Sequence, residues 1–131
     1  METINHEYYV SLEVAKLLAE VGFDWECKTY YDTSLYRDEI IIEDELRDYN
    51  FMNGSIIFSA PTLDVAQRWL RKTHHLHITI FSSSQESWMF RITKQHEKLE
   101  NGAYGEDFYT YEEAQEAGIK KALELILEKG E

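Results

Sequence analysis

After Ser11, the apolar residues Val14, Leu17, Leu18 and Val21 recur at helical spacing, and Gly22 is placed to end the helix they predict. Beyond the glycine the period changes. Phe23, Trp25 and Cys27 alternate with Asp24, Glu26 and Lys28, and Tyr30-Tyr31 follow, a pattern that predicts a half-buried strand returning directly from the helix. From Asp32 to Gly54 no period holds. Ile40-Ile41-Ile42 has the composition of a short strand, but its neighbours are densely acidic, and an irregular, exposed excursion is expected. Ser55 to Ser59 resumes as a strand through Ile56, Ile57 and Phe58, and Pro61 then stops sheet pairing beside the Thr62 cap. In the second helix Val65, Ala66, Trp69 and Leu70 face inward, whereas Asp64, Arg68, Arg71 and Lys72 face solvent, with acid at the start and base at the end to suit the helix dipole.

His75 to Phe81 reads as a core strand and Trp88 to Thr93 as its antiparallel partner, joined by a rather long polar loop, Ser82 to Ser87. Lys94 to Asp107 is polar, contains Gly102 and Gly105, and is expected to be a mobile connection. Thr110 and Glu113 form a capping box for a last helix reaching about Lys129, with Tyr111, Ala114, Gly118, Ala122, Leu125 and Ile126 on its inner face. The elements add up to an α+β fold. Three helices are expected on one face of a mainly antiparallel sheet of about four to five strands, forming a single globular domain over residues 1–131. A weak echo links Ser11-Leu12-Glu13-Val14-Ala15-Lys16 to Thr62-Leu63-Asp64-Val65-Ala66-Gln67. It fits either a duplicated helix–strand unit or the general pattern of a well-capped amphipathic helix.

Composition narrows the function classes. Hydrophobic residues make up 44% and charged residues 29% of the 131 residues, the mix of a chain that folds. A formal net charge of −12 sets up a negative field that repels phosphate backbones and anionic lipid surfaces, so neither nucleic acid nor membrane is an expected partner. The N-terminal residues lack the basic and apolar regions of a secretory signal, and no apolar run is long enough to span a bilayer; a cytoplasmic location is expected. The single cysteine, Cys27, has no CxxC or Cys/His spacing around it and is expected to be a buried, inert thiol.

No motif carries a catalytic signature. The six glycines are scattered and form neither a P-loop nor a dinucleotide fingerprint, and Ser82-Ser83-Ser84 lacks the setting of a nucleophile elbow. His75 and His77 would share one face of a strand and could supply two metal ligands, but no spacing points to a third, and a solvated sheet face is the expectation. Asp38, Glu39, Glu43, Asp44, Glu45 and Asp48 lack an identifiable buried partner and read as solvated surface. The first helix superficially matches the opening of a winged helix-turn-helix, but an aromatic strand follows where a basic recognition helix should. Tyr8, Tyr9, Tyr30, Tyr31, Tyr36, Tyr49 and Phe51 crowd the first half of the chain. Adjacent rings on an extended chain point to opposite faces, so some must lie outside the core.

Tyr9-Val10-Ser11-Leu12-Glu13-Val14-Ala15-Lys16-Leu17-Leu18, Gly22-Phe23 with Cys27 and Tyr30-Tyr31, Ser59-Ala60-Pro61-Thr62 with Ala66-Gln67-Arg68-Trp69-Leu70-Arg71 and His75-Leu76-His77-Ile78, and Thr110-Tyr111-Glu112-Glu113-Ala114 with Ala117-Gly118-Ile119 carry a resemblance. Through them the chain resembles a family of small uncharacterised proteins from phage and mobile elements of gut anaerobic bacteria. The resemblance implies a genetic context and no activity or cofactor. It does not extend to residues 32–53 and 94–107, where the specificity of this chain is expected to lie.

The expectation is therefore a non-enzymatic cytoplasmic binding protein. It would contact a host protein through an acidic, tyrosine-rich surface that includes Trp25, Tyr30, Tyr31, Tyr36, Arg68 and Arg71, and the context alone points to antagonism of host defence. The alternative is a small-ligand or nucleotide-sequestering protein in which Trp25, Tyr30 or Tyr31 stacks on a base and Arg68 or Arg71 meets phosphate. Mimicry of DNA by the acidic surface is a third reading, and homo-oligomerisation is compatible with all three.

Overall fold

Ser11 Oγ accepts the Val14 N–H at 3.2 Å and so starts α1, Leu12–Val21. Gly22 ends it at φ 102°, where its N–H reaches the carbonyls of Leu18 and Ala19 and the next N–H, that of the buried Phe23, returns to Leu18 at 2.8 Å. This closure needs a left-handed residue, which glycine supplies without a Cβ penalty. The computed structural model describes residues 5–35, 38–51, 56–84, 86–94, 97–100 (backbone only) and 107–129. The chain divides into two compact units, Met1–Thr62 and Leu63–Glu131.

In the first unit, β1 (Cys27–Asp32) is the centre of an antiparallel sheet, with β2 (Ile40–Arg47) on one side and β3 (Ile57–Ser59) on the other. The alternation seen in the sequence fixes the faces: Cys27, Thr29 and Tyr31 are buried, whereas Lys28 is exposed. Side chains on the buried face bond to backbone. Thr29 Oγ1 donates to Ala60 O at 2.6 Å and Tyr31 Oη to Val10 O at 2.7 Å, tying β1 to the segments flanking it. Val10, Val14, Ala15, Leu18 and Phe23 supply the apolar packing.

The second unit begins with α2 (Leu63–His74), whose buried Leu63, Ala66, Trp69 and Leu70 and exposed Asp64, Arg68, Arg71 and Lys72 follow the expected helical division. A second antiparallel sheet follows in the order β4 (Leu76–Ser84), β5 (Ser87–Lys94), β6 (Glu97–Glu100). The last helix, α3 (Tyr111–Glu128), opens on the Thr110/Glu113 capping box. It packs on α2, β4 and β5. Gly118 permits the close approach: a Cβ there would stand 2.8 Å from Ile78 Cγ2 and 3.1 Å from Phe90 Cγ.

The fold is α+β with three α-helices among the described residues, but the expected sheet is split in two, one in each unit. The Ser82–Ser87 loop is shorter than expected because the strands run on to a Ser84–Ser87 pair. The Lys94–Asp107 connection contains β6. His75 precedes its strand in a left-handed conformation at φ 59°, ending α2 where glycine is more usual, so it does not share a strand face with His77. Tyr111 is exposed rather than inward, its ring edge-on to Trp88 at 5.4 Å. The echo between the two helix starts does not extend to topology. The strand after α1 is central in its sheet, whereas the strand after α2 is an edge.

Candidate acidic docking surface on the first unit

Within the stretch expected to be irregular, Asp32 to Gly54, Ile40–Arg47 form an edge strand with a large bulge, and residues 36–37 and 52–54 lie outside the described residues. In the β1–β2 register Thr29 faces Ile42, while Cys27 faces Arg47, so Glu43, Asp44, Glu45 and Leu46 oppose the single residue Lys28. Four residues crowded against one leave the ladder, bend the strand and turn the edge outward. All four are exposed.

Side chains hold this bulge in one shape. Tyr30 Oη donates to Glu43 Oε2 at 2.9 Å, and Tyr49 Oη donates to the Glu45 carbonyl at 3.2 Å. The two phenol rings stack with centroids 4.5 Å apart and planes 30° from parallel. Arg47 meets Glu45 through both Nε, at 3.2 Å, and Nη2, at 2.7 Å, to the same oxygen. Glu43, Asp44, Glu45, Arg47 and Tyr49 line an open cleft of about 400 Å³.

Behind the bulge, the Asp48–Phe51 turn is fastened to the core. Asp48 Oδ1 accepts the N–H groups of Asn50 and Phe51 at 3.1 and 3.2 Å. Tyr49 N–H donates to the buried Ser59 Oγ at 3.0 Å. The Asn50 side chain accepts Ser59 N–H at 2.9 Å and donates to Phe23 O at 3.0 Å.

The phenols beside the bulge are held in their protonated form. Burial, then the hydrogen bond and charge of Glu43, push the Tyr30 phenol up to about 12, and burial with the Glu43 charge raises Tyr49 as well. Both phenols are therefore donors near neutral pH. Burial pushes the Cys27 thiol up and keeps it protonated, so it offers no thiolate nucleophile. Net charge is concentrated in this unit: residues 1–62 carry 13 acidic and 4 basic side chains, net −9, against 12 and 9, net −3, in residues 63–131.

Of the residues singled out from the sequence, Tyr30 lies in this surface and Trp25 is half-buried in the segment before β1. Tyr31, expected at the surface, is 4% exposed, with its hydroxyl committed to Val10. A residue two places from Thr29 and four from Cys27 on the same alternation has to share their buried face. Arg68 and Arg71 are exposed on α2, in the second unit, and Tyr36 lies outside the described residues. A base-stacking platform is correspondingly reduced, since Tyr31 is closed to a ligand and one face of Tyr30 is covered by Tyr49. Sequence reading missed that Glu43, Glu45, Arg47 and Tyr49 act together. The available signal was Asp48-Tyr49-Asn50, a turn-forming triplet directly after the acidic run.

Among the described residues, no group of three or more His, Cys, Asp or Glu side chains is arranged to hold a metal ion, and no helix is long and apolar enough to cross a membrane. No known protein-family model, curated protein or solved structure matches the chain.

Proposed function

We propose that this chain is a non-enzymatic, cytoplasmic binding protein that contacts a basic surface on a host protein through the β2 bulge. The observation carrying the reading is a bulge in which the exposed Glu43 and Glu45 carboxylates are held by Tyr30 and Arg47, and the Glu45 backbone carbonyl by Tyr49, before any partner arrives. Preorganised charge lowers the ordering cost of association, and a net −9 on one unit steers a cationic partner toward it. The proposed phage or mobile-element origin rests on the family resemblance alone, and a role against host defence is a reading of that context. A nucleotide ligand is less well supported, because Tyr31 is buried and one face of Tyr30 is covered by Tyr49, which leaves the half-buried Trp25.

Charge-steered association has a kinetic signature. The on-rate between this protein and a polypeptide that copurifies with it should fall about tenfold or more between low and high salt, with a much smaller change in the off-rate. Stopped-flow mixing over a salt series measures both. An on-rate indifferent to salt contradicts the reading.

A further inference from the structure

We infer that the corner between α2 and β4 is a pH-sensitive joint: His74 packs as a neutral ring against Trp69 near neutral pH, and its protonation loosens the end of α2 from the second sheet. The joint lies in the second unit, and nothing in it depends on the docking role proposed above. The sequence already sets this corner apart. The chain carries 25 acidic residues, yet Val65 to Gln85 holds no Asp or Glu and includes Arg68, Arg71, Lys72, His74, His75 and His77.

The turn has no slack. α2 ends at His74 and β4 begins at Leu76, so His75 alone makes the connection, at φ 59° in the left-handed region that residues other than glycine seldom adopt. The half-buried His74 ring meets the Trp69 ring with centroids 5.0 Å apart and planes at 68°. Trp69 is 2% exposed and Leu76 is 4% exposed, so a displacement of His74 is felt at once on both sides of the corner.

The side chains that act electrostatically on His74 are cationic. Arg71 and Lys72 are exposed in the same last turn of α2. Lys94 ends β5 opposite Leu76, and its register partner on the far side is Glu97 of β6. The one titratable group in β4 is His77. Among the described residues no carboxylate of α3 acts on His74: burial, then Lys94 and His75, lower its pKa. The negative end of the α2 dipole opposes them. An unfolded histidine titrates near 6.5 and the folded His74 below it, so the joint is at full strength above about 6.5 and weakens as pH falls from there through the folded value.

NMR on the full chain tests the joint by following the His74 ring and the amide protection factors of Trp69–Leu76 from about pH 7.5 to about pH 5. The ring should titrate below 6.5. Protection at the corner should fall several-fold over the same range, while that of Ile119–Leu123 in α3 holds. His74→Phe keeps a ring against Trp69 without a titratable group and should abolish the fall. Lys94→Gln, at an exposed position, should move the His74 midpoint up toward 6.5. A wild-type midpoint at or above 6.5, protection that stays constant as the ring titrates, a fall that survives His74→Phe, or a midpoint indifferent to Lys94→Gln overturns the joint. Should His74→Phe fail to fold, the wild-type titration and Lys94→Gln decide the matter.

Discussion

The Tyr30 phenol is kept as a donor because its ionised form would sit against Glu43, in a site where burial already disfavours charge. The sign of its effect on stability follows. An unfolded tyrosine ionises near pH 10 and the folded Tyr30 at about 12, so its contribution is intact below pH 10 and is lost as pH rises from 10 to 12. In a phenolate absorbance titration, Tyr30→Phe should remove one group ionising at about 12, and Glu43→Gln should move that group back toward 10. A titration curve unaltered at its alkaline end in Tyr30→Phe contradicts the assignment. The residue scale is also where sequence reading was least complete. Tyr30 and Tyr31 look equivalent as neighbours, yet strand alternation sends one to the Glu43 face and the other into the core. The pairing of Tyr30 with Glu43 and Tyr49 depends on a register that no local pattern encodes.

At the scale of elements, helices were legible because their signals are local. The Ser11 and Thr110 caps, the Gly22 stop and the division of α2 into apolar and charged faces are written within a few residues. The bulge and the edge strands β2 and β6 were not, although the edge strands β3 and β4 were. β2 hides an eight-residue strand inside an acidic run because four of its residues are set outside the ladder, and the four residues of β6 lack the apolar alternation that marks a strand. The inner face of α3 also holds a polar residue that hydrophobic spacing could not reveal. Gln115, 2% exposed, donates to Asp64 Oδ1 at 2.7 Å and Gln67 Oε1 at 2.8 Å, and Gln67 in turn donates to Ile78 O at 2.7 Å. This satisfied chain of amides joins both helices to β4. One turn away, Gly118→Ala should overpack the contact with Ile78 and Phe90, at a cost of about 1–3 kcal/mol. The better helix propensity of alanine returns about 1 kcal/mol, leaving a net loss of about 1 kcal/mol. Urea denaturation should show a lower midpoint with an unchanged slope. A variant as stable as wild type would mean that the helix and sheet have room to separate.

At the scale of the whole molecule, the total charge of −12 was legible from composition, but its distribution was not. Dividing the chain at Thr62 places net −9 on the unit that also carries the bulge, and net −3 on the unit built from α2, α3 and the second sheet. The proposed docking role is accordingly assigned to the first unit; Arg68 and Arg71, expected to join the same surface, are carried by the second. Native mass spectrometry of untagged protein from its host's lysate, run beside the Glu43→Gln/Asp44→Asn/Glu45→Gln variant, tests this most directly. The account predicts a host polypeptide at fixed stoichiometry on the wild type that is missing from the variant. A bound nucleotide or metal, a bare wild-type chain, or the same polypeptide retained on the variant would contradict it.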